Sequence, residues 1–173
     1  TPLVGSLFYG LNEVRYGLWD RESTLELNDN GWTLEYKKIF VTNLILRSLD
    51  DVVGTQDEKD RLRADAHFVR AYSYWVLANT YCLPYAEANM NEPGLVLKRS
   101  TSFEEVNTRS TLRETYAQID ADLVEAMKIT LPPVQNGKLR TWRTNTAAVH
   151  AFAARYALHR TAYQQAHDEA NAR

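Results

Sequence analysis

Histidine and cysteine side chains give this sequence its widest chemical range, because they bind metals and act as bases or nucleophiles. The sequence has one cysteine, Cys82, and four histidines, His67, His150, His159 and His167. No two histidines are four residues apart, and the motifs HExxH and CxxC do not occur. The spacing therefore predicts neither a metal site nor a cysteine–histidine catalytic pair, and we expect no cofactor.

Oxygen ligands for calcium are suggested by the segment ELNDNG, which begins at Glu26 and resembles the start of an EF-hand loop. Gly31 stands sixth in that loop, as required. The twelfth position is Lys37, a cation where calcium needs a bidentate carboxylate. The pattern excludes an EF-hand and leaves only a looser calcium site open.

Three carboxylates, Asp120, Asp122 and Glu125, lie close together in one helical segment. Their side chains leave a helix in different directions, so we expect water to solvate them rather than expect a general acid–base pair. No GxSxG nucleophile motif and no glycine-rich phosphate loop occurs. The sequence therefore predicts a protein that is not an enzyme.

The segment RYGLWDRESTLELNDNGW has the residue types that suit a sugar. A sugar ring presents an apolar C–H face, which a tryptophan ring matches, and a rim of hydroxyls, which aspartate and asparagine can bind. This segment is the best candidate for a binding site. The alternative is that its tryptophan only covers the core.

Composition is that of an ordinary globular chain of 173 residues, with 45% hydrophobic and 24% charged residues. The net charge of −2 gives no electrostatic reason to expect nucleic acid as a partner. No apolar run approaches the roughly 18 residues that span a bilayer. The opening residues TPLVGSLFYG look like folded sequence rather than a signal segment.

Helical periodicity dominates the chain from Trp32 onward. The segment WTLEYKKIFVTNLILRSLD has an apolar face of Leu34, Ile39, Leu44 or Ile45, and Leu49. A second helix covers the stretch Arg61–Tyr85, with Asp57 as its expected N-cap. A third begins with the capping box of Thr111 and Glu114 and has an apolar stripe of Leu112, Tyr116, Ile119, Leu123 and Ala126.

Two further helices are predicted at Thr146–Arg160, with Asn145 as the cap, and at Ala162–Ala172. Their alanines and tyrosines are loosely similar to a tetratricopeptide repeat. The second helix needs several apolar faces, as a helix inside a stack of helix pairs does, and its stripe of Phe68, Tyr72 and Trp75 should be interior. GLVLK is the only strand candidate, so we predict an all-α fold of stacked, tetratricopeptide-like helix pairs with long irregular loops.

Five segments in fixed order resemble the SusD/RagB family of bacterial nutrient-binding proteins. They are WTLEYKKIFVTN, RADAHFVRAYSYWVLANTYCLPY, LPYAEANMNEPGLVL, RSTLRETYAQIDADLVEAMKITLP and TNTAAVHAFAARYAL. The resemblance covers residues from about 30 to 170 and is carried by these residues: Trp32, Tyr36, Ile39, Asn43, Arg63, Ala64, Phe68, Arg70, Ala71, Tyr72, Tyr74, Leu77, Tyr81, Arg109, Thr111, Glu114, Tyr116, Ile119, Asp122, Leu123 and Ala126.

The resemblance implies a function as well as a fold. Members of this family are lipoproteins at the bacterial cell surface that hold an oligosaccharide, or in some RagB-like members a peptide, over a SusC-like TonB-dependent transporter of the outer membrane. We therefore expect residues 1–173 to be one helical domain, the N-terminal portion of a longer protein whose lipid anchor and C-terminal part are absent from this chain. A plain helical-repeat scaffold for a protein partner stays open.

The resemblance also implies where ligand contacts lie, because loops before the tryptophan-led helix contribute them in the family. The predicted ligand-binding residues are therefore Trp19, Asp20, Asn28 and Asp29. Trp142, in the segment KLRTWRTN, is a minor second candidate.

Overall fold

The computed structural model describes residues 17–18, 30–102, 104, 107–139 and 143–172. The prediction of a mostly helical fold is confirmed in this part of the chain. The α-helices found there are α1 (Asn30–Ser48), α2 (Gln56–Tyr81), α3 (Leu112–Ala126), α4 (Thr146–His159) and α5 (Tyr163–Asn171), with a 3₁₀ turn at Glu87–Asn89. None of the described helices has the combination of length and apolar character needed to cross a bilayer.

Two short antiparallel sheets accompany the helices. The predicted strand in GLVLK is confirmed as β1 (Pro93–Val96), which pairs with β2 (Arg109–Thr111). A hairpin of β3 (Val134–Gln135) and β4 (Lys138–Leu139) follows α3. The expectation of a single strand is therefore wrong: β2, β3 and β4 have two or three residues each and exist through pairing rather than through a recognisable alternation of their own.

Hydrogen-bonding side chains cap three of the helices. The capping box of Thr111 and Glu114 at α3 and the Asn145 cap at α4 are both confirmed. The prediction of Asp57 as the cap of α2 is wrong. Thr55 caps that helix instead, because its hydroxyl accepts from the Glu58 amide while the Glu58 carboxylate accepts from the Thr55 amide at 2.9 Å.

The apolar stripe predicted on α3 is fully buried, whereas the one predicted on α1 is buried only in part. Every member of the α3 stripe is buried, and so are Tyr74 and Leu77 of α2. In the stripe predicted for the first helix, Ile39 on α1 and Leu49 just after it are buried, but Leu34 and Leu44 are 54% and 46% exposed. Because α1 is apolar on more of its surface than α2 and α3 cover, part of its predicted packing face remains open.

Aromatic rings join α2 to α4. The ring of Phe152, on α4, packs edge-on against Phe68, Tyr72 and Trp75 at centroid distances of 5.8, 5.3 and 5.6 Å. Phe68 and Trp75 are half-buried, and Tyr72 is 39% exposed. The stripe predicted on α2 is thus a packing surface between helices, although Tyr72 lies at its solvent edge.

Contacts group the chain into two compact units, Thr1–Thr33 and Leu34–Arg173. The contacts among the helices and strands from Leu34 onward lie in the second unit. The expectation of a single domain over residues 1–173 stays a prediction.

Gly94 provides a test of how closely β1 lies on α3. A Cβ at this position would lie 2.3 Å from the Thr115 hydroxyl and 2.4 Å from the backbone oxygen of Thr111, which cannot swing away. We expect Gly94→Ala to lower the free energy of unfolding by about 1–3 kcal/mol, measured by urea denaturation.

Gly54→Ala is the matched control for that change. A Cβ at Gly54 would meet only a side-chain oxygen, at an ordinary 3.5 Å. Equal effects of the two substitutions would show that the approach of β1 to α3 does not constrain the fold.

Candidate functional site

The segment from Pro93 to Lys98 is held against α1 and α2 by two tyrosines, the half-buried Tyr36 and the buried Tyr74. The Tyr36 hydroxyl donates to the Val96 carbonyl at 2.8 Å and accepts from the Val96 amide at 3.1 Å. The Tyr74 hydroxyl donates to the Lys98 carbonyl at 2.9 Å. Burial raises the pKa of Tyr36 to about 12, so this hydroxyl stays protonated and able to donate at neutral pH.

A buried ion cluster, formed by Asn43, His67, Arg70, Gln118 and Asp122, ties α1, α2 and α3 together. Arg70 binds the Asp122 carboxylate with both Nε, at 2.9 Å, and a terminal nitrogen, at 2.6 Å. The other terminal nitrogen of Arg70 donates to Asn43 Oδ1 at 2.6 Å, and Asn43 Nδ2 donates to the Lys98 carbonyl. His67 Nδ1 and Gln118 Nε2 also contact the carboxylate, at 2.7 and 3.0 Å.

Asp122 corrects the expectation that water solvates this carboxylate, because only 1% of its side chain is exposed. Burial acts to raise the pKa of Asp122, but hydrogen bonds with His67 and Arg70 outweigh burial and hold that pKa below its usual range. The carboxylate therefore stays ionised and its oxygens are occupied. Its role is to fix three helices in place rather than to exchange protons.

Other side chains that could take part in acid–base chemistry are also paired with oppositely charged groups. Asp120 pairs with Arg160 at 2.6 Å, and Glu125 pairs with Lys128 at 2.6 Å. His150 contacts the Glu169 carboxylate at 2.7 Å. In the described ranges, no group of three histidine, cysteine or acidic side chains is placed to hold a metal ion. These contacts hold the charged side chains in hydrogen bonds and ion pairs within the fold.

The predicted ligand-binding residues Trp19, Asp20, Asn28 and Asp29 lie outside the described residues, as does Trp142. In sequence they precede α1, which begins at Asn30. Their assignment to a ligand site stays a prediction.

Comparison with known families places the fold in a definite group. The sequence matches a family model named SusD-like, described as starch-binding and associating with the outer membrane, over residues 12–158. The chain belongs to the SusD-like family. The resemblance found in the five sequence segments is thereby confirmed, and no curated protein sequence matches the chain.

Solved structures agree with this SusD-like assignment at the level of fold. A SusD superfamily protein from Bacteroides thetaiotaomicron matches 80% of the chain with 24% identity and a TM-score of 0.68. A SusD-like carbohydrate-binding protein from Bacteroides vulgatus and a laminarin-binding SusD-like protein each match with 23% identity and a TM-score of 0.66. The SusD-like chain spans 29–30% of the length of these three proteins.

An open apolar groove also lies between the described helices α1 and α2 of this SusD-like chain. It has a volume of about 440 Å³ and an apolar lining of Leu34, Val41, Ile45, Leu62, Ala66 and Val69, with Lys37, Lys38 and Asp65 beside it. This groove is the consequence of the open face of α1. Apolar side chains offer few hydrogen bonds to sugar hydroxyls, so the groove suits an apolar protein surface better than a glycan.

The ion cluster is the feature of the site that residue-by-residue reading missed. Asp122 follows Ile119 by three residues and precedes Leu123, so helical periodicity places it next to the buried stripe of α3. A carboxylate in that position requires a buried partner. Arg70 on α2 is that partner, and it is also one of the residues that carry the family resemblance. The identity of that partner depends on how α2 and α3 pack, which spacing along one helix does not reveal.

Proposed function

We propose that this SusD-like protein captures oligosaccharides at the bacterial cell surface by non-covalent binding and passes them to a SusC-like TonB-dependent transporter. The observation that carries the proposal is the match to a starch-binding, outer-membrane-associated family over residues 12–158. Carbohydrate-binding and laminarin-binding proteins among the matched structures support it. In this proposal an N-terminal lipid anchor attaches the protein to the outer membrane.

The proposed mechanism divides the molecule into a scaffold and a binding loop. The helices are held by the buried ion cluster and the aromatic contacts between α2 and α4, which leaves recognition to loops. Trp19 stacks on the apolar face of a sugar, while Asp20, Asn28 and Asp29 bind hydroxyls. Binding is the whole function, and no bond of the glycan is broken.

The proposed site is tested by Trp19→Ala in the intact protein. Loss of one stacking contact of about 1 kcal/mol should weaken glycan binding about fivefold. Calorimetry gives the affinity, and sugar-induced quenching of tryptophan fluorescence should disappear in the variant.

Tyr163→Ala is the control, because Tyr163 is an exposed aromatic residue of α5, 66% accessible, to which we assign no ligand role. If Trp19→Ala binds glycans as tightly as Tyr163→Ala does, the site lies elsewhere on the protein.

A second candidate function, a helical scaffold that binds a protein partner, is favoured by the apolar groove between α1 and α2. That groove is lined by successive helices, as a scaffold requires, and exposes 45% of Val41. A peptide-capturing, RagB-like activity is a related alternative. Both differ from glycan capture in the ligand that binds, so a ligand panel separates them.

A further inference from the structure

A cavity of about 330 Å³ lies beside the first half of α2. We call it the basic cavity, because cationic side chains outnumber carboxylates in its wall. Its wall consists of Val52, Val53, Gly54, Glu58, Lys59, Arg61, Leu62, Asp65 and Arg143. The volume lies within the range of about 300–1,000 Å³ that is typical of small-molecule sites.

Arg61, in the wall of this cavity, lacks the close carboxylate contact that several other arginines of the described chain make. Arg70, Arg113 and Arg160 each make a carboxylate contact of 2.6 Å. Arg61 is partly buried, yet within the described residues it makes no hydrogen bond or ion pair. A planar guanidinium with unused donors facing a cavity is suited to bind a carboxylate or sulfate.

Two more cations line the same space. The Lys59 ammonium has a single hydrogen bond in the described chain, a long one of 3.3 Å to the Asp50 carbonyl. A terminal nitrogen of Arg143 lies 3.8 Å from Asp65 Oδ2. Three cations around one small volume produce a positive potential that attracts an anion.

The two carboxylates of the wall offset this charge only in part, because three cations face two anions. Glu58 is committed to the N-cap of α2, where its oxygen binds the Thr55 amide and hydroxyl at 2.9 Å. The Asp65 side chain is 22% exposed, and its Oδ1 is buried without a hydrogen-bond partner. Burial raises the pKa of Asp65, while a hydrogen bond with Thr144 and the charges of Arg143 and Arg61 act to lower it.

Apolar side chains complete the wall of the cavity. Val52 and Leu62 are 45% and 39% exposed, so they present apolar surface to the cavity. A sugar ring that carries an acidic group combines the matching features, with an apolar C–H face, hydroxyls that can donate to Asp65 and an anion for the guanidinium. A neutral sugar would offer the Arg61 guanidinium only uncharged hydroxyl acceptors, which bind it less strongly than an anion does, and a simple inorganic anion would leave the apolar wall uncovered.

We propose that the basic cavity binds the anionic group of an acidic sugar unit, a uronate carboxylate or a sulfate ester, within the captured oligosaccharide. This inference rests on the proposed function and specifies its substrate class. The guanidinium of Arg61 is the principal anion ligand, and Lys59 and Arg143 supplement its charge. A uronate and a sulfate ester both present anionic oxygens to a guanidinium, and calorimetry with one probe of each kind separates them.

Calorimetry on the intact protein tests the proposal with three probes: an oligogalacturonate, a sulfated galactan oligosaccharide and neutral laminarihexaose. Arg61→Gln should weaken binding of the preferred acidic probe about tenfold and leave laminarihexaose binding unchanged. Arg155→Gln is the matched control, because Arg155 is an exposed arginine on α4 outside the cavity. The acidic probe that binds with the higher affinity identifies uronate or sulfate as the natural group. Added salt should lower the affinity for that probe more than the affinity for laminarihexaose.

A second variant has the opposite expected sign. Asp65→Asn removes a negative charge from the cavity and should strengthen acidic-probe binding about threefold, which keeps the proposal testable if Arg61→Gln folds poorly. If laminarihexaose binds and neither acidic probe does, the inference is wrong while the proposed function stands. The inference is also wrong if neither Arg61→Gln nor Asp65→Asn changes the affinity for the acidic probes. Failure of all three probes counts against the inference and the proposed function together.

Discussion

Replacing Arg70 by methionine is expected to lower the free energy of unfolding by about 3–5 kcal/mol. Arg70 makes two hydrogen bonds to Asp122, whose side chain is 1% exposed, and a third to Asn43. The substitution leaves the Asp122 charge buried without its main partner, and that desolvated charge dominates the loss. Urea denaturation followed by circular dichroism measures the effect.

The control for this prediction is Arg113→Met. Arg113 also makes a 2.6 Å carboxylate contact, to Glu87, but the two side chains are 55% and 83% exposed. Because water solvates both groups, we expect a loss of at most about 1 kcal/mol. A loss for Arg70→Met as small as that of the control would mean that the cluster does not hold α1, α2 and α3 together.

Phe152→Ala is the second substitution expected to have a large effect, a loss of about 3–5 kcal/mol in the free energy of unfolding. Phe152 is 5% exposed, and its ring contacts three rings of α2, those of Phe68, Tyr72 and Trp75. Removing it leaves a cavity between α2 and α4 that these rigid rings cannot fill. Urea denaturation measures the loss, and near-ultraviolet circular dichroism reports the change in aromatic packing.

Leu158→Ala is the matched control on the same helix, because Leu158 is 57% exposed. We expect it to change the free energy of unfolding by no more than about 0.5 kcal/mol. If Phe152→Ala is equally mild, the aromatic stripe does not join α2 to α4 and the stacked-helix description is wrong at that contact.

Local sequence signals were sufficient to predict that the helices exist, although the predicted stretch Arg61–Tyr85 differs from the observed α2, Gln56–Tyr81. In α3 the Thr111–Glu114 capping box marks the start, and the apolar residues recur on one face, so the helix and its buried stripe could both be predicted. The same capping pattern occurs at Thr55 and Glu58 of α2. The predicted cap, Asp57, instead lies in the first turn of the helix and is exposed.

Features that depend on tertiary packing could not be predicted in the same way. Strand β2 has three residues, and its structure follows from pairing with β1 and not from its own pattern. Leu34 and Leu44 fit the apolar face of α1 but stay half-exposed, because periodicity indicates which residues share a face and not whether a neighbour covers it.

The candidate sites also differ in whether a local sequence signal or tertiary packing determines them. Residue types in the segment before α1, together with what the family resemblance implies for that segment, nominate Trp19, Asp20, Asn28 and Asp29 as sugar ligands. The basic cavity combines residues 52–65 with Arg143, which are far apart in the sequence, so no local motif indicates it. Asp122 was expected to be solvated because its burial depends on the approach of Arg70 from another helix.

The central claim, that this protein captures oligosaccharides without altering them, is tested most directly by calorimetry of the intact protein against a panel of neutral oligosaccharides, acidic oligosaccharides and peptides. We predict saturable binding of at least one oligosaccharide with modest affinity, and recovery of that oligosaccharide at its original chain length. Binding of peptides alone would favour the RagB-like alternative, and association with the transporter without any ligand would favour the scaffold. The absence of binding to every oligosaccharide in the panel would contradict the account.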